Sequence, residues 1–150
     1  MVKQWYAVWV LTGSEAAAEE SLDKTPGVEA LLPRADLWER SGGEWRQISR
    51  VVYPGYVFIR CRMDSRIYYA IKELPQVIGW LGKDTLWPGS IPDEQMARVQ
   101  ALMAGEPPES ILREVIVHKR RRRGYGLLRV GGRDHRIPFN VYKQAGEPGG

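Results

Sequence analysis

Val52-Tyr53-Pro54-Gly55-Tyr56-Val57-Phe58-Ile59-Arg60-Cys61-Arg62-Met63 is the stretch whose reading decides how this chain folds. Pro54-Gly55 is a turn signal. The residues after it read as a strand, in which successive side chains point to opposite faces. Val57, Ile59, Cys61 and Met63 therefore share a core face, whereas Tyr56, Phe58, Arg60 and Arg62 share the other. Two aromatics followed by two arginines are too apolar to ignore and too charged to bury. That composition predicts a docking surface on an open sheet. The plainer alternative puts Tyr56 and Phe58 under a helix or loop while the arginines reach water.

Upstream of this strand, Trp5 to Val10 is apolar on both faces, as a central strand is. Thr12-Gly13 ends it, and Ser14 or Thr12 is placed to cap a helix over Glu15 to Lys24, with Glu15 at the capping-box distance from Thr12. Pro26-Gly27 stops that helix. Val28 to Leu32 and Leu37 to Glu39 read as one strand continuing past Pro33 into a hairpin, with Ser41-Gly42-Gly43 as the turn and Trp45 to Tyr53 as the return. Downstream, Asp64 caps a helix in which Ile67, Ile71 and Leu74 recur at helical spacing. Val77 to Leu81 is a further strand. A third helix, entered through Pro92, spans Asp93 to Met103 with Met96, Val99, Leu102 and Met103 on its apolar side. This order describes an α+β, ferredoxin-like split βαβ sheet with three helices packed on one face and the other face open.

Residues 1–104 form this domain. Residues 105–112, rich in Pro, Glu and Gly, read as a linker. Three short strand-like runs then give a small all-β segment over residues 113–145, and residues 146–150 are a frayed end. So short a segment buries little by itself and is expected to lean on the larger domain.

Charge divides at the same place. Residues 1–104 carry 12 Lys and Arg against 13 Asp and Glu, whereas residues 105–150 carry 10 against 5, so the net charge of +4 belongs to the C-terminal part. That asymmetry points to a nearly neutral docking module joined to a cationic segment that meets a polyanion. The apolar fraction of 43% and six Trp supply a core, and the single Cys61, on the apolar side of its strand, excludes a disulfide framework. The apolar run from Trp5 to Leu11 is too short and too aromatic for a signal peptide. No stretch approaches the roughly 18 apolar residues of a membrane span, so a soluble cytoplasmic protein is expected.

Catalytic constellations are hard to find. His118 and His135 have no cysteine beside them, no paired carboxylates or phosphate loop appear, and Gly124-Tyr125-Gly126 matches only the start of a dinucleotide fingerprint. The expectation is a binding protein without enzymatic activity, cofactor, metal or small-molecule substrate. Two surfaces suit binding. One is the face of Tyr56 and Phe58, to which Trp80 could add a third aromatic, rimmed by Arg60, Arg62 and Arg66. The other is the cationic set Lys119, Arg120, Arg121, Arg122, Arg123, Arg129, Arg133 and Arg136, suited to phosphate contacts with little sequence reading.

Five motifs then carry a resemblance: Trp5-Tyr6-Ala7-Val8 with Thr12-Gly13-Ser14-Glu15; Leu32-Pro33; Tyr53-Pro54-Gly55-Tyr56-Val57-Phe58-Ile59; Val77-Ile78-Gly79-Trp80-Leu81-Gly82; and Ile91-Pro92. In this order and spacing they resemble the N-terminal domain of the NusG family over residues 4 to about 104. The resemblance implies a transcription elongation or antitermination factor that docks on the clamp helices of the largest RNA polymerase subunit through Tyr56, Phe58 and Trp80. It further implies that Ser65, Arg66, Ile67 and Tyr68 face the opposite jaw of the DNA channel. Arg40, Arg46 and Arg50 would lie near the non-template strand. The expected partners are RNA polymerase and the DNA or RNA of the elongation complex, met as a monomer and without a membrane.

The tail departs from the family's KOW barrel, because residues 115–143 are compressed and Arg120 to Arg123 stand where its Gly-Pro-Phe turn would begin. That points to a specialised paralogue of the RfaH or LoaP kind. A rival reading is an RRM-type single-stranded RNA-binding module, whose signature fits Gly55, Tyr56, Phe58 and Ile59 but wants a basic residue at Pro54 and an aromatic at Cys61. A structural or ribosome-associated protein held by the basic tail is a third.

Overall fold

The computed structural model describes residues 2–82, 87–103, 115–118 and 123–140. Its elements run β1 (Gln4–Val10), α1 (Glu15–Asp23), β2 (Glu29–Leu31), β3 (Arg34–Ser41), β4 (Glu44–Val51), β5 (Tyr56–Cys61), α2 (Ser65–Lys72), β6 (Val77–Trp80), α3 (Asp93–Met103), β7 (Val115–His118), β8 (Arg123–Val130) and β9 (Arg133–Asn140). They form a mixed α+β fold with three helices and antiparallel sheets, as the pattern of apolar residues predicts. The linker, Lys119 to Arg122 and the C-terminal end lie outside the described residues.

The main sheet has the order β2-β5-β1-β6, with every neighbouring pair antiparallel. β1 and β5 are its central strands, paired from Gln4↔Cys61 to Trp9↔Tyr56. The alternation expected of β5 is present. Val57, Ile59 and Cys61 join Tyr6, Val8 and Val10 in a core that α1 and α2 close with Ala18, Leu22, Ile67 and Ile71. Phe58 points the other way, into a second core with Ala7 and Tyr53. Cys61 is fully buried in the first core, and desolvation pushes its thiol up to about 11.

Two expectations about the sheet are corrected. The hairpin is not a continuation of β2: the chain breaks at Leu32-Pro33, and among the described residues β3 and β4 pair only with each other, as a separate two-stranded sheet. Pro33 has no N–H to offer a ladder, which suits it to this boundary. Nor do all three helices share one face. Ile91 forms an antiparallel bridge to Trp5, its N–H donating to the Trp5 carbonyl at 2.7 Å, and the helix that follows places Met96 and Val99 in the second core. The face predicted to be open is covered.

Capping at the two main helices differs. Asp64 Oδ1 accepts from the Ile67 N–H at 2.8 Å, an N-cap as expected. Ser14, at the α1 N-cap, makes no side-chain capping bond. Instead the buried carboxylate of Glu15 reaches back to the Gly13 N–H and across to the Gly55 N–H at 3.3 Å, joining the start of α1 to the turn that launches β5. Gly55 sits at φ 87°, where other residues are strained. Asp64→Ala is therefore expected to lower stability by about 1 kcal/mol and Glu15→Ala by about 1–3 kcal/mol, with Ser14→Ala close to neutral. Urea denaturation of the three variants checks this ranking.

Candidate functional site

The face carrying Tyr56 and Phe58 is built by β1 and β5, whose register places Trp9 directly opposite Tyr56 and Ala7 opposite Phe58. Phe58 is fully buried. It packs edge-on against Tyr53 with ring centroids 5.6 Å apart. Above these rings lie Met96 and Val99 of α3, and Leu128, Val130 and Ile137 of the C-terminal sheet. Burial raises the phenol pKa of both Tyr53 and Tyr56. What stays open is the margin: Trp9 is 47% exposed and Tyr56 half-buried.

The cover is held by a seam of close backbone contact. The Gly131 N–H donates to the Ser90 carbonyl at 2.9 Å. A Cβ added to Gly89 would stand 2.7 Å from Gly131 Cα, and one added to Gly82 would stand 2.6 Å from Val130 Cγ1. Real Cβ atoms do not approach so closely, so glycine at these positions is a requirement of the contact. β8 and β9 meet across the tight turn Gly131-Gly132, and their inner side chains complete the second core. The small β segment does lean on the larger domain, and it does so on the aromatic face.

Trp80 is a correction. It belongs to the first core, on the opposite side of the sheet from Phe58, and so cannot extend the Tyr56 surface. Its direct partner is Val8, a residue of the first core, so it faces α1 and α2; a register shift beyond that pair, between Trp9 and Val10, brings Val77 onto the same side. Trp80 stacks on Tyr68 at 5.7 Å and 11°, and Tyr68 stacks in turn on Trp87 at 5.6 Å and 13°. Tyr68 is thus the middle of a three-ring column. Of the four residues expected to face a jaw, Ser65 and Arg66 are exposed while Ile67 and Tyr68 are buried.

The cationic candidates also separate. Arg129 Nε donates to Asp134 at 3.1 Å, and Arg133 and Arg136 are exposed on the same sheet. Lys119, Arg120, Arg121 and Arg122 lie outside the described residues, and Arg123 begins β8. On the hairpin, Arg46 pairs with Glu44 and Arg50 with Glu39, leaving Arg40 without an ion pair among the described residues. Trp9 was missed by sequence reasoning. Its signal was available, since Trp5, Ala7 and Trp9 alternate onto the face that β5 offers Phe58.

A family model described as "Transcription termination factor nusG" matches residues 3–100. The chain is 29% identical over 119 residues to the "Transcription termination/antitermination protein NusG" of Pseudomonas aeruginosa, covering 73% of this chain and 67% of that protein. The same-named protein of Vibrio cholerae is 29% identical over 101 residues, covering 62% and 56%, and that of Escherichia coli K12 is 26% identical over 102 residues, covering 63% and 56%. The chain thus matches between about half and two thirds of the length of these relatives. A solved structure titled "Domain interaction in Thermotoga maritima NusG" aligns with a TM-score of 0.56 over 93% of this chain and 94% of that one; at 17% identity the likeness is one of fold.

Because the Gly89–Gly131 contact leaves no room for a methyl group, Gly89→Ala should loosen the cover by about 1–3 kcal/mol. Limited proteolysis is expected to cut β8 and β9 faster in that variant than in the wild type, with α1 and α2 still resistant. Unchanged cleavage of β8 and β9 would mean that the seam does not hold the cover.

Proposed function

The chain belongs to the NusG family, and from that premise we propose that it is a transcription elongation factor that docks on RNA polymerase through the face of Trp9, Tyr56 and Phe58. The observation that carries this reading is the pairing of exposed Trp9 with half-buried Tyr56 beside the covered rings of Phe58 and Tyr53. Rigid aromatic rings bordering a coverable apolar patch have the composition of an interface hot spot. The partner we infer is the clamp helices of the largest subunit, as the resemblance of the Tyr-Pro-Gly-Tyr-Val-Phe-Ile motif implies.

On this reading the C-terminal sheet competes with the polymerase. Phe58 is inaccessible while Leu128, Val130 and Ile137 lie over it, so full engagement requires those side chains to leave. A protein whose binding-competent state is a minor population binds with its affinity reduced by that fraction. Access to the face is then a point of control, which suits a specialised, operon-targeted paralogue better than a factor acting at every gene. Ser65 and Arg66, exposed at the start of α2, are the residues we assign to the opposite jaw. The cationic side chains of the C-terminal segment and of the hairpin are assigned to the nucleic acid of the elongation complex, with the net effect on transcription being processive elongation.

The RRM reading needs Tyr56 and Phe58 free to stack on bases. The β3–β4 hairpin and the third helix exceed the minimal module, which counts against it.

Phe58→Ala would remove a core ring and confound binding with stability, at a cost of about 3–5 kcal/mol. Trp9→Ala with Tyr56→Ala is the cleaner probe, since both side chains reach solvent. This double variant is expected to lose retention on purified core RNA polymerase by at least about tenfold, taking ~1 kcal/mol or more for each anchor, with its urea midpoint nearly unchanged. Full retention of the double variant would rule out this face as the dock.

A further inference from the structure

The two cores lie on opposite faces of the main sheet, and one short segment touches structures on both. Trp87, 44% exposed, is the outermost ring of the column that Trp80 and Tyr68 begin in the first core. Three residues further on, the same segment meets the cover on the other face. The Ser90 carbonyl accepts from the Gly131 N–H at 2.9 Å, and Gly89 lies so close to Gly131 that an added Cβ would stand 2.7 Å from its Cα. Trp87-Pro88-Gly89-Ser90 therefore joins the ring column on one side of the sheet to the seat of the C-terminal sheet on the other.

The segment has little slack, since three residues span at most about 10 Å. Pro88 is buried, fixes its own φ and holds Trp87 before it to extended conformations. Beyond Ser90, the Ile91 N–H donates to the Trp5 carbonyl at 2.7 Å and pins that end to β1. In the middle, the Gly89 N–H donates to the Gly82 carbonyl at 3.3 Å, and Gly82 itself lies against Val130 of the cover. At the near end the hold is the stack of Trp87 on Tyr68, with rings 5.6 Å apart and 13° from parallel. Gly131 is thus seated between an anchor on β1 and an anchor on α2. Lifting Trp87 removes the second.

We propose that Trp87-Pro88-Gly89-Ser90 is a strap that couples the ring column to the cover, so that departure of Trp87 from Tyr68 and departure of the C-terminal sheet from Phe58 favour one another. Such a coupling needs an element with two arrangements that both sites bias. The strap supplies it. Seated, it presents Gly89 and Ser90 to Gly131, and the cover in turn holds it down. Trp87 is suited to be the release point because its ring is partly in water, so leaving Tyr68 forfeits one aromatic contact and opens no core. Access to Phe58 is then linked to events at α2, on the opposite face of the sheet. The linkage belongs to the chain itself and does not depend on docking at Trp9 and Tyr56.

The test uses the full chain without polymerase and reads the coupling from both ends. In hydrogen–deuterium exchange followed by mass spectrometry, Trp87→Ala is expected to speed exchange of β8 and β9 about two- to tenfold, the range one aromatic pair supplies, with α1 unchanged. Trp87→Tyr keeps a ring on Tyr68 and should restore the wild-type rate. Tyr69→Ala, which removes a ring lying edge-on to Tyr68 but leaves the strap alone, should not speed β8 or β9. From the other end, Leu128→Ala weakens the cover without touching the strap, and because coupling is reciprocal it should raise oxidation of Trp87 by hydroxyl radicals while exposed Trp45 stays constant as the reference. Unchanged exchange of β8 and β9 in Trp87→Ala would overturn the proposal, as would equal acceleration in α1, which would mean general loosening. So would a Leu128→Ala variant whose β9 exchanges faster while Trp87 oxidises at the wild-type rate.

Discussion

β1 and β5 pair at the centre of the sheet with apolar side chains on both faces, and that constraint determines most of what surrounds them. Two adjacent strands of this kind cannot leave either side in water. Val8, Val10, Val57 and Ile59 call for a cover, which α1 and α2 provide. Ala7, Phe58 and the neighbouring Tyr53 call for another on the opposite side, and α3 shares that role with the C-terminal sheet. A small β segment that buries little alone gains its core by lending three aliphatic side chains to this face. The same apolar area therefore drives folding of the sheet and of the segment that covers it.

How much of this could be read in advance depended on whether the signal was local. The alternation of β5, the Asp64 cap and the Gly42-Gly43 turn are written in adjacent residues, and each appears where the pattern puts it. Trp80 faces the first core because its direct ladder partner is Val8, a pairing between strands distant in sequence that the residues around Trp80 do not announce. Helical periodicity identifies the apolar side of α3 but is silent on which face of a sheet that side meets. The cover contributed by Leu128, Val130 and Ile137 is a contact between residues some 70 positions apart in sequence from Phe58, carried by glycines whose meaning appears only when Gly89 and Gly131 are seen to touch. Trp9 is legible in the alternation of β1.

The candidate site gains a different shape as a result. It consists of an accessible aromatic margin, Trp9 and Tyr56, around rings that open only when the C-terminal sheet departs. The hairpin stands as a separate element, rooted through Arg34 and Glu19, with one side neutralised by its own ion pairs. The aromatic margin and the hairpin are thus separate elements of the chain.

Side-chain hydroxyl-radical footprinting of the full chain, with and without purified core RNA polymerase, tests this account most directly because it reads the dock and its cover at once. Polymerase is predicted to protect Trp9 and Tyr56 from oxidation while Leu128, Val130 and Ile137 become more reactive. Protection of Trp9 and Tyr56 with no change at those three residues would contradict release of the cover, and no protection at either aromatic would contradict the dock itself.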